Sequence, residues 1–145
     1  MTVRRLVGSA AASAAVFAGG LAGFAAPAQA AYPTTNFTVT YGNTQTSGVI
    51  TWYNRSVHVD VDSIRVTVGQ CRQVEAYAYV EASGSITELD RDESYMFCNK
   101  NSTVTKDYGP DNFDLDADVA GGANRVEILM RDDSNNIVKI GVYHR

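Results

Sequence analysis

Gly48-Val-Ile-Thr-Trp-Tyr-Asn-Arg-Ser-Val-His-Val-Asp-Val-Asp62 is the stretch on which the fold turns. It holds the only Trp of the chain, Trp52, and closes by alternating Val57, Val59 and Val61 with His58, Asp60 and Asp62. Extended backbone points successive side chains to opposite faces, so a period of two predicts a strand with one apolar and one polar face. The apolar face needs a cover, which implies a second layer of sheet. Asn54-Arg55-Ser56 reads as a turn or a bulge. Beyond Asp62 the apolar set resumes at Ile64, Val66 and Val68, a change of parity that requires one inserted residue near Asp62-Ser63. That insertion is either a bulge or a corner at which a long strand passes from one sheet to the other. The stretch speaks to architecture and not to chemistry.

Working outward, Phe37, Val39 and Tyr41 alternate with Thr38 and Thr40 in a first strand, and the small polar residues 42–48 read as a loop. Residues 72–82 alternate Val74, Ala76, Ala78 and Val80 with Glu75, Tyr77, Tyr79 and Glu81. Either the small aliphatic set faces inward, or the two tyrosines fill the core between acidic rims. Residues 86–89 read as a short strand, 90–93 as a charged turn, and 95–98 as a strand returning Cys98 beside Cys71. Gly109-Pro110-Asp111 breaks the chain. Phe113, Leu115, Ala117 and Val119 then alternate with Asp114, Asp116 and Asp118, and residues 125–131 and 137–143 supply two further strands. Nothing in residues 31–145 keeps helical period for three turns. The expected fold is all-β: an antiparallel two-sheet sandwich, Ig-like or jelly-roll-like, of seven to nine strands.

Residues 1–30 read as a secretory signal peptide. Arg4 and Arg5 open it, an Ala/Gly-rich apolar run follows, and Pro27-Ala-Gln-Ala30 offers a small-residue cleavage site. Residues 31–145 then form one domain, with no membrane span expected in it. Without Arg4 and Arg5, ten Lys and Arg face sixteen Asp and Glu, a formal charge of −6. Such a surface repels phosphate backbones, and no basic stripe interrupts it, so nucleic acid is not an expected partner. Cys71 and Cys98 are the only cysteines, and export to an oxidising space predicts one structural disulfide.

Two segments carry a resemblance. Thr51-Trp-Tyr-Asn-Arg-Ser-Val57, and a hairpin-like Phe113-Asp-Leu-Asp-Ala-Asp-Val-Ala-Gly-Gly-Ala-Asn-Arg-Val126, are similar to stretches of small exported actinobacterial proteins. The likeness extends over most of residues 31–145. It implies a β-sandwich and an exported location, and it brings no catalytic residue with it.

Candidate sites are few. His58, Asp60 and Asp62 share one strand face, but same-face neighbours lie about 7 Å apart, too far for one cation without a bent backbone. Asp114, Asp116 and Asp118 resemble the start of a calcium loop, yet Val119 stands where glycine is needed and Arg125 where a bidentate Glu is needed. No metal or other cofactor is expected. The plainer reading of that row is a polar face pairing across a hairpin with Arg125 or Arg131. No nucleophile elbow accompanies His58, and His144 is the penultimate residue, so no catalytic constellation is evident. Eight tyrosines and one Trp are more suggestive, because aromatic faces stack on sugar rings and protein partners.

The expectation is a secreted, non-catalytic binding or cell-surface protein whose partner is an extracellular protein or a glycan. As a carbohydrate-binding module it would use Tyr77, Tyr79, Trp52 and Tyr53. As an inhibitor of an extracellular hydrolase it would use the loop at residues 99–102, just after Cys98.

Overall fold

A computed structural model describes residues 31–145; the signal peptide expected over residues 1–30 lies outside the described residues. The ten strands are β1 (Thr34–Tyr41), β2 (Thr44–Trp52), β3 (Ser56–Val66), β4 (Cys71–Ala82) and β5 (Ser85–Glu93), then β6 (Phe97–Cys98), β7 (Lys106–Asp107), β8 (Asp111–Asp116), β9 (Arg125–Arg131) and β10 (Ile137–His144). Sheet 1 runs β1-β2-β3, with the short β7 and the longer β8 sharing the far edge of β3. Sheet 2 runs β10-β9-β4-β5, with β6 also on β4. Every pairing is antiparallel. The chain is thus an all-β sandwich of two five-stranded sheets, two of its ten strands being only two residues long.

The alternating valines behave as their period requires. Val57, Val59 and Val61 are fully buried, together with Trp52, Ile50, Phe113 and Leu115 of the same sheet. Facing them from sheet 2 are Val74, Ala76 and Ala78 of β4 and Val126, Ile128 and Met130 of β9, all members of one core cluster. This resolves the two readings of β4: the small aliphatic set faces in. Sheet 1 supplies the bulky side chains and the centre of β4 supplies alanines, a large-to-small pairing that lets the two layers interdigitate.

The parity change is a bulge. Ser47 pairs with Ser63 and Gly48 with Val61, which leaves Asp62 as the extra residue. Ile64 and Val66 therefore return to the same core, and β3 stays in sheet 1 throughout instead of turning a corner.

Three expectations need correction. The supposed loop at residues 42–48 is mostly strand, because Thr44, Thr46 and Gly48 are buried on the inward face of β2. Only Gly42-Asn43 turns, with Gly42 at φ 59° in a two-residue hairpin connection. Small inward residues carry no hydrophobic signal, so the alternation was invisible to composition. The expected charged turn at 90–93 instead continues β5, an edge strand with no buried residue and hence no apolar face to betray it. The hairpin over residues 113–126 does not form, since β8 lies beside β3 in sheet 1 and β9 beside β4 in sheet 2. The two apolar sets, Phe113/Leu115 and Val126/Ile128/Met130, meet across the core and not side by side.

Both open flanks of the sandwich are closed by one side chain from sheet 2. The Tyr143 hydroxyl accepts from Thr38 N–H (3.2 Å) and donates to Thr38 C=O (3.1 Å), capping edge strand β1. On the other flank Asp90 Oδ2 accepts from Asp116 N–H at 2.8 Å, capping β8. Edge groups satisfied in this way no longer offer a template for foreign strands. Cys71 and Cys98 are directly opposed in the β4–β6 pairing and form the expected disulfide. With 27 residues of separation, the cross-link stabilises the fold by about 3.5 kcal/mol in the chain-entropy picture.

Candidate functional site

The outer face of sheet 2 is built from every second residue of four strands. Across it run Arg125–Tyr79–Glu88, Glu127–Tyr77–Arg91 and Leu129–Glu75–Glu93, read from β9 through β4 to β5. Tyr77 and Tyr79, two apart on one strand face, stack with ring centroids 6.2 Å apart and planes 10° from parallel. Arg91 lies over the Tyr77 ring at 5.9 Å and Arg125 over the Tyr79 ring at 6.0 Å. Four flat groups thus form a continuous stack in which each arginine meets the negative face of a π system.

Charge is settled largely within this layer. The Tyr77 hydroxyl donates to Glu75 Oε2 at 2.8 Å, and Arg131 Nε donates to Glu75 Oε1. Arg125 pairs with Glu127 at 2.5 Å and reaches Glu81 at 3.4 Å. Glu75 is 5% exposed and Tyr77 8%, so these are buried polar groups in all but position, and each has the partner that burial demands. Burial, with the nearby Glu127 and Glu88 carboxylates, pushes the Tyr79 phenol up to about 12. Arg91 is exposed and makes no carboxylate ion pair among the described residues. It borders a depression of about 350 Å³ whose other walls include Glu75, Tyr77, Asp92, Glu93 and Arg131.

The aromatic quartet expected from the sequence does not converge. Tyr77 and Tyr79 point out of sheet 2, but arginines cover their rings. Trp52 points into the core, fully buried, with Nε1 donating to Thr35 Oγ1 at 2.9 Å. Sheet 2 therefore lies between the indole and the two tyrosines, and Trp52 presents no surface to a ligand. Tyr53 is half-buried and meets Tyr32 edge-to-face at 4.6 Å, beyond the end of β2. Sequence reasoning missed Arg91 and Glu127 in this layer, and it set Arg125 and Arg131 against the acidic row at residues 114–118 instead. The odd-numbered spacing of Arg125, Glu127 and Arg131 on β9 was a usable signal; their placement beside the tyrosines, and that of Arg91 on β5, was not.

The outer face of sheet 1 carries the other titratable cluster. His58 stands opposite Asp114 in the β3–β8 register, with Nδ1 and Asp114 Oδ1 2.6 Å apart and Nε2 and Asp60 Oδ1 3.0 Å apart. Both ring nitrogens are engaged by carboxylates, which leaves none to activate a nucleophile. Asp118 pairs with Arg55 at 2.5 Å, and the Asp116 backbone meets Asp90. Asp114 and Asp118 of the acidic row are thus paired with His58 and Arg55, not with Arg125 and Arg131, which lie on the other sheet. Among the described residues no three His, Cys, Asp or Glu side chains are arranged to hold a metal ion. The Asp114 hydrogen bond is the chief cause that raises the His58 pKa above its usual 6.5, with Asp60 adding and burial opposing.

A histidine that binds its proton more tightly in the folded state stabilises the fold below its unfolded pKa, and that contribution is lost as pH rises through the raised value. Thermal midpoints should therefore fall as pH climbs past about 6.5. The effect is on the order of 0.5 kcal/mol, because the aspartates are solvated. His58→Asn should flatten this slope; an unchanged pH profile in the variant would remove the cluster from the account.

The loop at residues 99–102 is firmly held. Asn99 is buried, and its Nδ2 donates to Val66 C=O and Val104 C=O, both at 2.9 Å. Lys100 and Asn101 form a turn, and Lys100 is tied to Asp133 at 2.8 Å. No family model matches the chain, and neither curated proteins nor solved structures yield a match.

Proposed function

We propose that this is a non-catalytic binding protein acting outside the cell, whose recognition surface is the outer face of sheet 2 around Tyr77 and Arg91. The observation that carries this reading is the covered stack Arg91–Tyr77–Tyr79–Arg125 beside a polar depression. A merely solvated sheet face does not need paired, buried polar groups, since water satisfies exposed ones at no cost. A preorganised layer of donors and acceptors instead recognises ligands rich in hydroxyl or carboxyl groups, with little ordering left to do on binding. Glycans are the class that fits best. The Tyr77 ring is covered by Arg91, so hydrogen bonds from the rim would dominate over stacking on an open platform. The disulfide and the leader-like residues 1–30 favour an extracellular setting.

A panel of soluble neutral and acidic polysaccharides tests the reading by calorimetry or retardation gels. Arg91→Ala, at an exposed position, should weaken binding by about tenfold with no change in thermal midpoint. Absence of binding to every polysaccharide, or indifference to Arg91→Ala, would dismiss the proposal.

A further inference from the structure

The most exposed large hydrophobic side chain among the described residues is Tyr95, at 85%, followed directly in the chain by Met96 at 38%. An aromatic ring so open to water forgoes the burial that would stabilise the domain, unless something else covers it. Its backbone, however, follows a firmly anchored residue. The preceding Ser94 is buried: its N–H donates to Val74 C=O at 2.8 Å, and its Oγ accepts from Val74 N–H at 3.0 Å and donates to Tyr95 C=O at 2.9 Å. Gln73 Nε2 donates to Ser94 C=O at 3.0 Å. Two residues beyond Met96, Cys98 is cross-linked to Cys71. Tyr95 and Met96 are thus presented on a segment clamped at both ends, so little backbone entropy remains to be lost when they are covered.

A groove of about 410 Å³ opens at the foot of this segment, between the ends of β5 and β8, with Asp92, Glu93 and Asp111 on its walls and Phe113 at its base. None of its lining residues is Lys or Arg. None of the three carboxylates makes an ion pair among the described residues. The surface therefore joins an exposed Tyr–Met pair to an acidic rim without ion pairs among the described residues, on a chain whose residues 31–145 carry a formal charge of −6.

We infer that residues 92–96 form a docking surface for a partner protein that presents a basic segment with aliphatic side chains. Lys and Arg suit it on two counts. Their ammonium and guanidinium groups meet the carboxylates, while their methylene stems lie along Tyr95 and Met96, where the ring face also attracts a cation. Opposite net charge speeds encounter and selects against acidic partners. The surface adjoins the Tyr77 depression, sharing Asp92 and Glu93, but its anchor is separate.

The test measures, by fluorescence anisotropy on the full chain, binding of a short peptide of alternating lysine and leucine. Its glutamate-for-lysine twin and an oligolysine of equal length serve as comparators. The lysine–leucine peptide should bind more tightly than the glutamate twin by about tenfold or more, and more tightly than oligolysine. Tyr95→Ala should weaken it by about tenfold without moving the thermal midpoint, since the ring is exposed. Asp92→Asn with Glu93→Gln and Asp111→Asn should weaken binding and reduce its salt dependence. Equal binding of the two charge twins, indifference to Tyr95→Ala, or no binding by the lysine–leucine peptide would overturn the inference. Tyr95→Ala should leave polysaccharide binding intact and Arg91→Ala should leave peptide binding intact, so the two sites can fail independently.

Discussion

Gly48→Ala is expected to cost about 3–5 kcal/mol, the range reserved for substitutions that the surrounding structure cannot absorb. A Cβ on Gly48 would overlap the Asp60 carbonyl oxygen outright and would sit 2.9 Å from the Asp60 carbonyl carbon and 2.8 Å from Phe37 Cε1. The obstruction is backbone, and it cannot swing aside as the end of a side chain would. Gly48 lies at the bulge, where Val61 pairs with it and Asp62 is looped out, so β3 approaches β2 more closely than in a regular ladder. Relief would require breaking the β2–β3 pairing at Val49 and Ile50, the middle of sheet 1. For a domain of this size the thermal midpoint should fall by on the order of 15 °C. Gly42→Ala is the contrast: open space surrounds its Cβ, and only the φ of 59° opposes it, for about 1 kcal/mol. A Gly48→Ala protein as stable as the Gly42→Ala protein would mean that the bulge is not where the register places it.

Trp52→Ala should be comparably damaging, at about 3–5 kcal/mol, because it empties the largest fully buried side chain of the core. Trp52→Phe keeps much of the apolar volume and loses the hydrogen bond to Thr35 Oγ1, so about 1–2 kcal/mol is expected. Chemical denaturation followed by circular dichroism measures both. In the unaltered protein the lone indole is a second probe, since its emission moves to the red when the core opens. If Trp52 were a binding residue, the alanine variant would keep its stability and lose a ligand. The opposite pattern is expected here, and a stable Trp52→Ala protein would remove the packing account of sheet 1.

Some of this was written in the order of residues. The spacing of Val57, Val59 and Val61, and the parity break after them, announces a half-buried strand with a bulge. The two cysteines, in a chain whose first residues read as an export signal, announce a cross-link. The candidate site was half legible: Glu75-x-Tyr77-x-Tyr79-x-Glu81 marks an aromatic–acidic strand face, without saying whether that face looks in or out. The answer depended on what sheet 1 contributed. Trp52, Phe113 and Ile50 fill the interior, and the remaining space accepts Ala76 and Ala78 but not two phenols.

The amino-acid order by itself determined that residues 31–145 pack as layered antiparallel strands, because side chains of alternating polarity on extended backbone have one apolar side to hide. It determined the pairing of the sulfurs as well, there being only two. Tertiary structure alone decided which strands are neighbours. β8 and β9, consecutive in the chain, separate into different sheets, while Arg91, Tyr77 and Glu127 come into one row from three different strands. Such rows arise from pairings between residues many positions apart. Local periodicity carries no record of them, because the free energy that selects them is the burial of the whole core and not of any single strand.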